Sequence, residues 1–146
     1  MKKFIVLSLL LLTVWACSEG EKEAATEEKQ EVKMAEFSEL ALLMKKIHLD
    51  AKDWKASLES GEMIEDSIAI YKLLVESTPT KAEVKGPVFE GFAASYQANL
   101  DAFLAAEDID LAKSAYNNLV STCVTCHQSY CPGPIPTIEK LYLPES

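Results

Sequence analysis

A chain of 146 residues with 23 acidic side chains against 14 basic ones, all of them lysine, has the length of one domain and a formal net charge of −9. That balance excludes a nucleic-acid surface built on basic residues and favours a soluble surface that docks on basic patches of a partner.

Positions 1–16 read as an export signal: Lys2 and Lys3 give a positive start, Phe4 to Trp15 an apolar run, and Ala16-Cys17 a small-residue junction. About a dozen apolar residues are too few to span a bilayer, so the segment is expected to be cleaved. Val14-Trp15-Ala16-Cys17 resembles the lipobox of bacterial lipoproteins, in which Cys17 becomes the lipidated first residue. The plain alternative is a secretory signal followed by an incidental cysteine. Multiple acyl chains on Cys17 would anchor the protein stably to a membrane. Positions 17–36 then form a lipidated N-terminus and an acidic tether. Rich in Glu, Lys, Ala and Gln and with Val32 its only β-branched apolar residue up to Lys33, it has too little to bury to fold by itself.

From residue 37 the pattern predicts an all-α domain, an antiparallel four-helix bundle. The first helix spans about Phe37 to Glu59, its stripe Leu40, Leu43, Met44, Ile47, Ala51, Trp54 and Leu58 recurring at three- and four-residue steps, with Ser60-Gly61 as the stop. A second is expected over Glu62 to Ser77, with Ile64, Ile68, Tyr71, Leu74 and Val75 on its stripe. Thr78 to Gly86, containing Pro79, is a loop. A third opens at Pro87, well suited to a first helical turn, and a fourth is capped by Asp108 and runs into Cys123 to His127. Pro132 biases Cys131 out of helix, so this stretch occupies the last turns.

Cys123-Val124-Thr125-Cys126-His127 is the C-x-x-C-H signature of covalent c-type haem attachment. On a helix the two thiols lie three residues apart on one face, placed to bond the two vinyl groups of one porphyrin, with the adjacent imidazole reaching its iron. Two other uses suit the same residues: a zinc half-site, for which only His48 and Cys131 remain as further donors, and a redox dithiol, for which the expected βαβ setting is missing. Haem c is attached outside the cytoplasm, which an export signal serves. With Cys17 assigned to lipid and Cys123 and Cys126 to haem, Cys131 is left over, either a bridge to another chain, a reactive thiol or a small residue in a turn.

The tail Cys131-Pro132-Gly133-Pro134-Ile135-Pro136 cannot continue the helix. Beyond it Ile138, Leu141, Tyr142 and Leu143 are apolar enough to fold back, over a haem edge or onto the bundle end. No enzymatic constellation is visible: the paired acids sit on solvated helix faces, and there is neither a Ser/His/Asp set nor a phosphate-cradling glycine loop.

A four-helix bundle closed by C-x-x-C-H in its last helix resembles the cytochrome c′ family, above all its exported, lipobox-bearing relatives. The resemblance covers the domain and rests on Cys123, Cys126 and His127 with the aromatic Tyr130 after them. It implies one covalent haem c within the bundle near one end, His127 as proximal iron ligand, and a distal side formed by the first helix. Two family arginines are missing. One would fall at Cys131; for the first-helix one, Lys45 and Lys46 are the nearest substitutes. Lys140 or Lys113 would take over any contact to the haem propionates.

The sixth iron position decides the mechanism. In the family it faces either an apolar residue, leaving iron five-coordinate, or a methionine that ligates it. Met44 stands mid-stripe where such a ligand belongs, although a methionine there is also ordinary packing material. His48, four residues on, is a second candidate. Methionine ligation implies a low-spin electron carrier; a five-coordinate iron implies a protein that binds nitric oxide or carbon monoxide. The electron-carrier expectation brings redox partner proteins, unidentified, on the periplasmic or cell-surface side. Dimerisation is common in the family and would be sought at Tyr71, Leu73 and Leu74, which widen the second helix's apolar face.

Overall fold

The computed structural model describes residues 36–64 and 69–144. The signal segment, Cys17 and the tether up to residue 35 lie outside the described residues. The regular structure of those described is helical throughout, with no strand among them. Five α-helices follow in order: α1 Glu39–Ser60, α2 Tyr71–Glu76, α3 Pro87–Leu104, α4 Ile109–Tyr130 and α5 Ile135–Ile138, with single 3-10 turns at Ala82–Val84 and Glu139–Leu141. No helix among them is long and apolar enough to cross a membrane.

The three long helices start and stop on local chemistry. The Ser38 hydroxyl accepts from the Ala41 N–H at the head of α1, and Gly61 closes it in the left-handed conformation at φ 83°, where a side chain would be strained. Pro87 occupies the first turn of α3. The Asp108 carboxylate accepts from the backbone N–H groups of Asp110 and Leu111 at 3.0 and 2.9 Å, fixing the start of α4.

The second predicted helix is corrected. Helix occupies only Tyr71–Glu76 of the expected Glu62–Ser77; Glu62 to Ile64 and Ala69 to Ile70 are non-helical, and 65–68 lie outside the described residues. The start is imposed from outside: the Gln97 side-chain oxygen on α3 accepts from the N–H groups of both Ile70 and Tyr71, at 2.7 and 2.9 Å. The end is held by Lys85, whose ammonium donates to the carbonyls of Leu74 and Val75. Past α2 the chain pins the head of α1: the Leu40 N–H donates to the Thr78 carbonyl at 3.0 Å, and the Thr78 N–H to the Glu39 carboxylate at 2.9 Å, which lowers the Glu39 pKa. Of the three residues expected on a dimer face, Tyr71 and Leu73 are exposed and Leu74 is buried in the core.

α3 and α4, joined by the short link 105–108, pack closely along their length as a helical hairpin. α1 meets this hairpin firmly at one end. There Trp54 lies 5.5 Å from Phe103, Phe103 lies 5.6 Å from Tyr116, and the fully buried Tyr116 hydroxyl donates to the Ala51 carbonyl at 2.8 Å. Leu58, Leu100, Leu119 and Val120 complete the buried centre. Replacing Tyr116 by Phe removes a buried hydrogen bond at little change in volume. The expected loss is about 1–2 kcal/mol in chemical unfolding at unchanged m-value; an unaltered midpoint would show that the bond contributes nothing.

The C-terminal arm packs against both α1 and α4. Ile138, Leu141 and Leu143 are buried. The Asn117 amide donates to the Leu143 carbonyl and accepts from its N–H, and Tyr142 shares a hydrogen bond with Ser121, both on α4. On the α1 side the Lys55 ammonium donates to the carbonyls of Lys140 and Tyr142, both at 2.9 Å. The arm does fold back, then, and it does so by clasping two helices.

Candidate functional site

The space left between α1, α4 and the arm is a cavity of about 590 Å³, within the range of cofactor pockets. Its walls are mostly apolar: Phe37, Ala41, Met44, Ile47 and Ala51 from α1 and its head, Cys123 from α4, and Pro134, Ile138 and Leu141 from the arm. His127, His48, Lys45, Thr137 and Cys131 supply the polar points. A second cavity of about 50 Å³ adjoins it, sharing Met44, Ile47, Cys123 and His127, and reaches Cys126, Phe89, Phe92 and Tyr96. The walls of these adjoining cavities thus bring together Cys123, Cys126, His127, Met44 and His48, which sequence reasoning chose separately.

The motif lies on helix, as its spacing requires. Cys123, Cys126 and His127 are all half-buried in the last turns of α4. The Cys123 thiol donates to the Leu119 carbonyl at 3.4 Å. Burial pushes the Cys123 thiol up to about 12 and the Cys126 thiol to about 11. Both are therefore protonated at neutral pH, the reverse of a redox dithiol, whose attacking thiol is lowered towards or below neutrality.

His127 is held by the turn that ends α4. Its Nδ1 lies 3.2 Å from the Cys131 carbonyl and 3.4 Å from the Cys131 thiol. When Nδ1 carries the proton and donates it to the Cys131 carbonyl, which only accepts, Nε2 keeps its lone pair, the tautomer a metal ligand needs. Burial lowers the His127 pKa, against the opposing effect of the Cys131 carbonyl, so the neutral ring is favoured. The folded state then binds fewer protons than the unfolded chain, and stability present above the ordinary imidazole value is lost as pH falls below it. Between about pH 7.5 and about pH 5.5 the unfolding midpoint of the haem-free chain is expected to drop. A His127→Gln chain is expected to lose that part of the drop; an identical pH profile in both would contradict the assignment.

Met44 is half-buried and lies on both cavities. His48 lines the large cavity at its boundary, where a further cavity begins. Tyr130 stands behind the wall, edge-on to Phe89 and Phe92 with ring centroids 6.0 and 6.1 Å away. Its ring thus braces two of the side chains that line the small cavity. Lys45 folds its ammonium over the Phe37 ring, 3.1 Å from the centroid, at the mouth. The arm residues Pro134, Thr137, Ile138 and Leu141 were the part of the lining the sequence pattern could place only as one of two options.

The donor set and the cavity suit a haem. An amphipathic macrocycle needs apolar walls, two thiols and an imidazole; here Cys123 and His127 line the large cavity, and Cys126 lines the small one that adjoins it. Among the described residues no three imidazole, thiol or carboxylate groups converge as a donor set for a bare metal ion. A porphyrin brings its own equatorial nitrogens and asks of the chain only axial ligands. No known family, curated protein or solved structure matches the chain.

Proposed function

We propose that this chain is a monohaem c-type cytochrome of cytochrome c′-like, antiparallel four-helix-bundle architecture, carrying single electrons outside the cytoplasm. It would be tethered to a membrane through a lipid on Cys17, which lies outside the described residues, and would serve redox partner proteins rather than catalyse a reaction of its own. The observation that carries this reading is that Cys123, His127 and Met44 line a single apolar cavity of about 590 Å³.

In this reading Cys123 and Cys126 hold the macrocycle as thioethers, and His127 ligates the iron through Nε2. The bound haem supplies a one-electron ferric/ferrous couple. The chain's own part is to set its potential. The Cys131 carbonyl on Nδ1 raises the basicity of the ligating imidazole, and the apolar walls from α1 and the arm keep water from the iron. Met44 on α1 would supply a thioether to the iron in this scheme, with His48 the other candidate on the cavity wall.

The test is a spectroelectrochemical titration of the purified holoprotein. A reversible one-electron couple with a low-spin reduced form that ignores carbon monoxide supports the electron carrier. A high-spin form that binds carbon monoxide overturns it in favour of a five-coordinate gas-binding protein.

A further inference from the structure

The large cavity opens at one boundary onto a second chamber of about 320 Å³, and the two share His48, Thr137 and Leu141. This chamber has a different character from the rest of the molecule. On a chain with a large excess of acid, it is lined by Lys52, Lys55 and Lys140 against one carboxylate, Glu59. Lys55 is committed: its ammonium holds the Lys140 and Tyr142 carbonyls and lies 3.8 Å from Glu59. Lys52 and Lys140 are exposed at the rim of this chamber, and their ammonium groups have no carboxylate or hydrogen-bond partner among the described residues. None of the C-x-x-C-H residues reaches this chamber.

Two cations left without partners beside a cavity of mostly apolar lining are the complement of an apolar ligand with an anionic edge. Resting on the haem reading above, we propose that Lys52 and Lys140, with the His48 ring and the Thr137 hydroxyl, form the carboxylate subsite that receives the propionates of the haem. The macrocycle carries its vinyl groups and its propionates on opposite edges. Thioethers at Cys123 and Cys126 fix the first edge on α4, which directs the second towards a boundary away from the motif. At this exposed rim the carboxylates keep part of their hydration, and charge-assisted hydrogen bonds from the two cations fix their position. The arm thus contributes recognition as well as cover, since Lys140 and Thr137 are presented by the segment that Lys55 ties to α1. Lys113 lines none of the three cavities and has no part in the subsite.

The test uses holoprotein carrying Lys52→Gln, Lys140→Gln or both, with Lys113→Gln as control. Covalent attachment keeps the haem on every variant, so haem content reads the underlying assignment and the midpoint potential reads the subsite. Removing a cation near the propionates disfavours the reduced, more negative centre. Each single variant is expected to lower the reduced-to-oxidised ratio about three- to tenfold at fixed potential, a shift of about 30–60 mV for one electron. The double variant shifts further, arginine at both positions restores the potential, and Lys113→Gln leaves it unmoved. Full haem content with an unshifted potential in the double variant overturns the subsite and leaves the cytochrome reading standing. That result together with slower electron exchange with an acidic partner protein would assign the lysines to docking instead. A chain that acquires no haem overturns both.

Discussion

A chain in which Cys123 and Cys126 are both replaced by alanine is expected to retain no haem after extraction with acidified organic solvent, whereas the unaltered protein retains all of it. The size of the effect follows from bond type. With both thioethers gone, a haem in this site would be held only by the proposed His127 Nε2 bond and burial in the cavity, and neither would survive denaturation. The two single variants separate the sites. Cys123 lines the large cavity and donates to the Leu119 carbonyl, while Cys126 reaches only the small one. Each single variant is expected to keep covalent haem through the remaining sulfur, with a shifted pyridine haemochrome band reporting one unsaturated vinyl group. Full retention in the double variant would remove the thiols from the account.

The second large effect is expected at Met44. Met44→Ala should convert a low-spin, carbon monoxide-indifferent centre to a high-spin one that binds carbon monoxide, and should lower the potential, since a thioether ligand favours ferrous iron. The fold itself should hold. Met44 is only half-buried and packs at the edge of the core, far from the Trp54, Phe103 and Tyr116 contacts that clamp α1. The stability loss is therefore expected at or below the low end for buried large-to-small changes, about 2 kcal/mol. An unchanged spectrum in Met44→Ala, with the spectrum changed instead in His48→Ala, would move the distal role one turn along α1. No change in either would favour a five-coordinate iron from the outset.

Legibility in the sequence followed the range of the forces involved. α1, α3 and α4 were readable because their limits are set within a few residues: Gly61 at φ 83°, Pro87 in a first turn, and Asp108 over its own following amides. The apolar stripe of the first helix likewise named residues that are buried in the core, Leu40, Ile47, Ala51, Trp54 and Leu58. α2 was over-extended because its start depends on Gln97 and its end on Lys85, partners on or next to α3 that periodicity cannot register. The C-x-x-C-H spacing singled out Cys123, Cys126 and His127 and mid-stripe position singled out Met44; the fold sets Cys123, His127 and Met44 around one cavity, with Cys126 on the small one beside it. Tyr130, chosen for its place after the motif, braces Phe89 and Phe92 behind the cavity wall. Of the lysines of the cationic chamber only Lys140 was named, through the resemblance; its meeting with Lys52 was not readable. Lys52 and Lys140 are 88 positions apart and meet only because Lys55 and Asn117 fasten the arm, by bonds to its backbone, between α1 and α4. Such backbone clasps leave no mark on apolar periodicity.

The most direct measurement is the intact mass of the mature protein, produced in a host competent for cytochrome maturation and denatured before analysis. The account predicts the polypeptide mass increased by that of one haem, in a red protein. A colourless product at the bare polypeptide mass would contradict it.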